Sequence, residues 1–244
     1  MPLVLVQGLR GGVGTTSLVA NLAIGLAQAG LPVTVLDMAA RSTMALHFGL
    51  QPTDRLPPLD EARPNDLVVH GVTLRDAYTV ADRGDLTYGL ASGEISFDGD
   101  MLYLADVGSA DMGLFEQLRP YAALDMLVLA PSGECLASLP EALEAAGPNT
   151  RFVLNKADDT RKLARHASVF VRELLGDKLL ATIRSDEAVV ESAAMIHPLV
   201  RHAPVSAALH DISALGQLVG AMVPLGHASS PVAHEPPRQA SQAA

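Results

Sequence analysis

The stretch from Leu3 to Ala29, LVLVQGLRGGVGTTSLVANLAIGLAQA, constrains the fold more than any other part of this chain. Leu3, Val4, Leu5 and Val6 run without polar alternation, the pattern of a strand buried on both faces of a parallel sheet. The turn that follows, Gly8 to Ser17, is rich in glycine, which tolerates positive φ. Leu18, Leu22, Leu26 and Ala29 then recur on a helical period. Strand, glycine loop and helix in that order form a site for phosphate, held by loop N–H groups and the positive end of the helix. A tight β–α turn without a ligand is the plainer alternative. Three glycines among residues 11–14 exceed what such a turn needs.

The loop departs from a Walker A motif at one position. That motif ends Gly-Lys-Ser/Thr. Here Gly14 and Thr16 fall into place, and Thr15 stands where the lysine belongs. The backbone cradle is kept, whereas the cation that bridges the outer phosphates is lost.

Two later strand ends carry carboxylates. Val33 to Leu36 reads as a buried strand closing on Asp37, which at the ligand edge of a sheet can contact Mg²⁺ through water or orient a catalytic group. Its plainer role is to cap the next turn. Met101 to Ala105 closes on Asp106-Val107-Gly108, an apolar run ending in an acid followed by glycine. A Walker B carboxylate holds the metal's water shell, and such a glycine lets a backbone N–H approach the terminal phosphate. A fifth strand at Arg151–Leu154 ends in Asn155-Lys156-Ala157-Asp158. Asn155 there can reach a purine, and the four residues resemble a guanine-recognition signature; adenine and guanine both stay open.

Composition limits the remaining classes. A chain of 244 residues, 49% hydrophobic, can bury a full core as one α/β domain. Its net charge of -10, with only 17 Lys and Arg, argues against free-standing nucleic-acid binding. Cys135 is the only cysteine, which excludes an internal disulfide framework and fits a reducing cytosol. The N-terminal apolar run lacks a basic leader and is too short and glycine-broken to span a bilayer. The histidines show no ligand spacing, and no hydrolase triad occurs in a recognisable elbow.

The rest of the chain supplies further strands at 125–130 and 179–183, with helices at 134–146, 160–175, 187–194 and 205–223. Asp186 is expected to cap the helix that follows it. Residues 51–66 are rich in Pro and Asp and read as a surface loop, and 67–74 as either strand or helix. The expected organisation is a three-layer α/β sandwich with a mostly parallel central sheet over residues 1–225. It carries a variable excursion at about 51–100 and a disordered tail at 226–244, where no core-forming residues occur.

Arg10-Gly11-Gly12-Val13-Gly14-Thr15-Thr16-Ser17 resembles the deviant Walker A class of P-loop ATPases, the ParA/MinD family. Within it the Gly-x-Arg-Gly-Gly-Val-Gly-Thr-Thr form is most similar to the BcsQ (YhjQ) branch, encoded with bacterial cellulose synthase. The similarity continues through Asp37, Asp106, Asn155 and Ile183–Val189 to about Val223, and is faint over 51–100. The resemblance implies a P-loop fold that binds ATP and Mg²⁺. Gly11, Gly12, Val13, Gly14, Thr15, Thr16 and Ser17 would cradle phosphate, Thr16 and Asp106 would hold the metal, and Asn155 would contact adenine. Arg10 matches a lysine that reaches across a sandwich dimer to the partner's phosphates. An arginine stays charged, and its planar fork suits phosphate oxygens. Arg10, Asp37 and Asp106 are thus the candidate catalytic residues. Ala39 falls where many relatives have a second aspartate tied to water activation.

Loss of that aspartate and of the lysine at Thr15 points to slow or absent hydrolysis. The implied function is a nucleotide-responsive, dimerising accessory of the cellulose synthase complex, without direct nucleic-acid contact. It would be cytoplasmic and reach the inner membrane or cell pole only through partners. A cycling ATPase in positioning or partitioning, and a nucleotide-free scaffold, are the alternatives.

Overall fold

The computed structural model describes residues 1–60 and 66–226. Eight strands form one sheet: β1 (Leu3–Gly8), β2 (Val33–Met38), β3 (Leu67–Val69), β4 (Val72–Asp76), β5 (Leu102–Val107), β6 (Leu124–Leu129), β7 (Thr150–Ala157) and β8 (Leu179–Arg184). Their order is β3-β4-β2-β5-β1-β6-β7-β8. Every pairing is parallel except β3 with β4. In β1, β2 and β6 every residue is buried, as strands covered on both faces require. The architecture is a three-layer α/β sandwich, as the apolar runs predict.

The covering helices include α1 (Thr15–Gln28), the short α2 (Met44–His47), α3 (Tyr78–Asp82), α4 (Asp85–Ser92) and α5 (Met112–Leu118). They continue with α6 (Gly133–Glu144), α7 (Lys162–Leu175), α8 (Glu187–Ala194), α9 (Leu199–His202) and α10 (Ala207–Met222). Helix α10 packs against α1 and β8. Gly216 of α10 faces Leu22 and Leu26 of α1, where an added Cβ would make ordinary contact at 3.5 Å. Asp186 caps α8 by accepting from the Ala188 N–H at 3.0 Å, as expected. The same carboxylate accepts from the Ser206 hydroxyl at 2.7 Å and the Ala207 N–H at 2.9 Å, tying the start of α10 to the end of β8.

The 51–100 stretch is more regular than its sequence suggests. Residues 67–76 are a β-hairpin, turned at His70 (φ 52°) and Gly71 (φ 80°), that extends the sheet beyond β2. Two consecutive left-handed residues give a turn whose twist matches paired strands. Left-handed glycines at 84 and 93 bound α4, and Ile95 folds back onto Gly89, where a Cβ would lie 2.6 Å from it. Residues 61–65 of the expected loop, and the expected tail apart from Gly226, lie outside the described residues. Among the described residues, no helix is long and apolar enough to cross a membrane.

Candidate nucleotide site

The loop between β1 and α1 is held by β6 and β7 as well as by its own buried Val13. Val13 is buried in the core while the backbone around it passes over the carboxyl ends of the strands. The Leu9 N–H bonds the Val128 carbonyl at 2.8 Å, which fixes the loop's first residue to β6. Gly8 admits Thr15 and Val13: a Cβ there would lie 2.7 Å from Thr15 Oγ1. Gly14 is left-handed (φ 90°), and a Cβ on it would meet the Asn155 amide nitrogen at 2.7 Å. From β7, Asn155 Nδ2 donates to the Val13 carbonyl at 2.8 Å and Lys156 Nζ to the Gly12 carbonyl at 2.7 Å. Helix α1 has no acidic residue in its first turn, so its positive end faces the loop uncompensated.

Beside the loop lie carboxylates on adjacent strands. Asp37 on β2 is in register with Asp106 on β5 and, on its other side, with Asp76 on β4. Burial pushes the Asp106 carboxyl up from its ordinary 3.8 to about 7, against a hydrogen bond from the Thr16 hydroxyl and with help from the Asp37 charge. Its Oδ2 is buried without a partner. Burial likewise raises Asp37 to about 6, opposed by hydrogen bonds from Ser42 and the Ala39 N–H and reinforced by Asp76. Gln7, fully buried at the end of β1, donates through Nε2 to the Gly108 carbonyl at 3.0 Å and leaves Oε1 unpartnered. It thereby fixes the Gly108 carbonyl, two residues beyond Asp106. Gly108 leaves room for the Asp111 carboxylate, which a Cβ would meet at 2.8 Å and displace.

These residues fit a magnesium ion bound together with phosphate. A cation beside Asp106 would give the orphaned Oδ2 a partner and favour the ionised carboxylate, with the Thr16 hydroxyl adjacent. Among the described residues no three His, Cys, Asp or Glu side chains are placed to hold a metal by themselves. Phosphate oxygens and water would complete the coordination.

Two adjoining cavities give the site its length. The loop opens into one of about 530 Å³, lined by Arg10, Thr16, Arg41, Asp106 and Asp111. A second, of about 400 Å³, is lined by Asn155, Lys156, Arg161, Val190 and Ile212. Gly14, Ser17 and His47 line both. A ligand with phosphates at one end and a planar ring at the other suits this pair. Of the residues expected at the site, Arg10, Gly12, Gly14, Thr15, Thr16, Ser17 and Asp106 line the first cavity, and Asn155 the second. Asp37 instead faces a neighbouring cavity of about 920 Å³, which Ala39 and Arg41 share with the first. Asp158, the acid of the guanine-like signature, lines neither of these two cavities. It accepts from the Thr160 N–H at 2.9 Å and pairs with Arg161 Nε at 3.1 Å.

The sequence reading missed His47, Lys156 and Gln7 as members of the site. His47 is buried, and burial holds it down at about 4, so the ring is neutral near pH 7. A lone histidine in a four-residue helix carries no sequence signal. Gln7 does: a polar residue closing an otherwise apolar strand just before the loop.

A family model described as the CobQ/CobB/MinD/ParA nucleotide binding domain matches residues 4–199. No curated protein matches the chain in sequence. Solved structures do match in fold. A ParA family ATPase from Chlorobium tepidum superposes with a TM-score of 0.69 at 17% identity, over 88% of this chain and 98% of that one. The septum site-determining protein MinD from Pyrococcus horikoshii, complexed with Mg-ADP, gives 0.68 at 20% identity over 89% and 95%. A chain of the MinC:MinD cell division protein complex from Aquifex aeolicus gives 0.65 at 20% over 92% and 98%.

Proposed function

As the chain belongs to the CobQ/CobB/MinD/ParA nucleotide-binding domain family, we propose that it binds ATP with Mg²⁺ and hydrolyses it slowly or not at all. The observation that carries this is a complete cradle with two catalytic side chains replaced. The left-handed glycines, the Thr16–Asp106 pair and the orphaned Asp106 oxygen are present. Thr15 and Ala39 stand where a lysine and an aspartate would act on the transferring phosphoryl group.

In this reading the loop amides and the N-terminus of α1 bind the phosphates. Thr16 and Asp106 hold the metal, which when bound screens phosphate charge. Asn155 and the apolar wall of Val190 and Ile212 receive the base. Adenine is favoured over guanine, because Asp158, the acid that would read guanine's amino group, lines neither cavity. Arg10, exposed at the cradle mouth, would reach the phosphates of a second copy in a nucleotide-bound dimer.

The biological role we propose is assembly or localisation of the bacterial cellulose synthase complex, in the cytoplasm and at the inner membrane or pole through partners. It rests on the Gly-x-Arg-Gly-Gly-Val-Gly-Thr-Thr loop. An actively cycling ATPase in spatial positioning is the second reading, favoured by Arg10 lining the cradle as an alternative cation. Calorimetric titration with ATP and ADP in Mg²⁺, with oligomeric mass read on the same samples, tests the binding claim. Micromolar ATP binding with a doubling of mass is expected, and no binding at millimolar nucleotide would leave a scaffold. Multiple turnovers abolished by Arg10→Ala would establish the second reading, and co-purification with cellulose synthase subunits tests the role.

A further inference from the structure

The loop is fastened from outside by two consecutive residues of β7. Asn155 Nδ2 bonds the Val13 carbonyl and Lys156 Nζ the Gly12 carbonyl. Consecutive side chains on a strand point to opposite faces. Here Lys156 is left-handed (φ 56°), one of only three described non-glycine residues with positive φ, and the β7–β8 register breaks across the same positions. The Asn155 side chain supports the kink, its Oδ1 accepting from the Lys156 N–H at 3.0 Å. The kink brings both side chains onto one loop. A left-handed lysine is a strained conformation retained where its surroundings dictate it.

The geometry of the peptide unit gives this fastening a purpose. In a trans peptide the C=O of one residue and the N–H of the next point in opposite directions. Holding the Gly12 and Val13 carbonyls toward β7 therefore turns the Val13 and Gly14 N–H groups away from it, as a phosphate cradle needs. Ordinary loops of this kind place a lysine directly after this glycine. Thr15 has no such reach.

We propose that Lys156 is a positioning residue of the nucleotide site: its ammonium, delivered by the kink in β7, holds the Gly12 carbonyl and so presets the loop amides for phosphate. The proposal rests on the nucleotide reading above for its purpose, but the preset loop is a property of the free protein.

Hydrogen exchange on the full chain without nucleotide tests it, comparing Lys156→Met, which keeps the stem and loses the donor, with Lys156→Arg, which keeps a charged donor. Loss of one charge-assisted hydrogen bond predicts exchange about tenfold faster within residues 9–14 in the Met variant. β5 should be unchanged, and the Arg variant should stay within about twofold of the parent. Unchanged loop exchange in the Met variant would overturn the proposal. So would equal acceleration in the Arg variant, or a loss of protection that extends into β5. In parallel, ATP affinity should fall about tenfold in the Met variant only. A parent protein that binds no ATP would remove the nucleotide reading, and the exchange comparison would still decide the clamp.

Discussion

Asp37 and Asp106 occupy the same register position on neighbouring parallel strands, and both are buried. Burial is the main cause that holds both toward their protonated forms, with a further push from the Asp37 charge on Asp106 and from the Asp76 charge on Asp37. Their folded values, about 6 and about 7, lie above the ordinary 3.8. The folded state therefore binds more protons than the unfolded chain between about pH 4 and pH 7, and their contribution to stability falls as pH rises through that window. Burial of His47 acts oppositely below its ordinary 6.5, so the two effects are separated by mutation. Asp106→Asn is expected to raise the melting temperature of the nucleotide-free protein at pH 8 and to flatten its pH dependence. The same change should abolish stabilisation by Mg²⁺ with nucleotide. For a carboxyl raised from 3.8 to about 7, the linked free energy is about 4 kcal/mol. Thermal melts from pH 5 to 8 check this.

Gly14→Ala should disable the site and loosen the fold. The substitution places a Cβ 2.7 Å from Asn155 Nδ2 on a backbone at φ 90°, at a cost of about 1–3 kcal/mol. Chemical denaturation measures the loss of stability, and calorimetry should show no nucleotide binding at concentrations that saturate the parent.

Arg10→Ala should separate binding from association. Arg10 is exposed at the cradle mouth, so the melting transition should move by less than about 0.5 kcal/mol. ATP binding should weaken modestly, whereas the ATP-dependent dimer should disappear in sedimentation or light scattering.

Restoring the two replaced groups should restore chemistry. Thr15→Lys with Ala39→Asp is expected to raise ATP turnover by about 10²-fold over the parent, the size of a donor placed on a developing charge. Phosphate release under saturating ATP and Mg²⁺ is the measurement. A flat response would locate the catalytic deficit elsewhere in the loop.

Asp186→Ala, at the rim of the second cavity, should be among the most destabilising polar changes. One carboxylate caps α8 and holds the Ser206 hydroxyl and the Ala207 N–H at the start of α10. Removing a cap and leaving those donors unpaired costs about 2–3 kcal/mol. The Ser206 hydrogen bond holds its pKa below the ordinary 3.8, so its contribution is present at neutral pH and lost on acidification below that value. Urea denaturation at pH 7 and pH 3 checks both statements.

What the sequence discloses here is what local pattern can encode. The apolar run at Leu3–Val6, the glycines at 11, 12 and 14, and carboxylates closing two strands suffice to place the cradle, Thr16 and Asp106. The hairpin at 67–76 stays ambiguous because short apolar runs do not distinguish strand from helix, and pairing with β2 decides it. Lys156 reads as an ordinary solvated charge at a strand end, since nothing local announces a left-handed turn. His47 enters the site only because α2 packs against α1. Asp37 shows the converse: its strand-end position is legible, but it accepts from Ala39 and Ser42 and lines the neighbouring cavity.

The two borders of the sheet are built to refuse further strands. At one border β3 is only three residues long and runs antiparallel to its neighbour, offering a template too short for another chain to extend. At the other, α10 lies against β8, and the Arg184 N–H is already taken by Asp211 Oδ2 at 2.9 Å. Both borders thus offer little to edge-to-edge stacking, and the sheet ends within one copy of the chain.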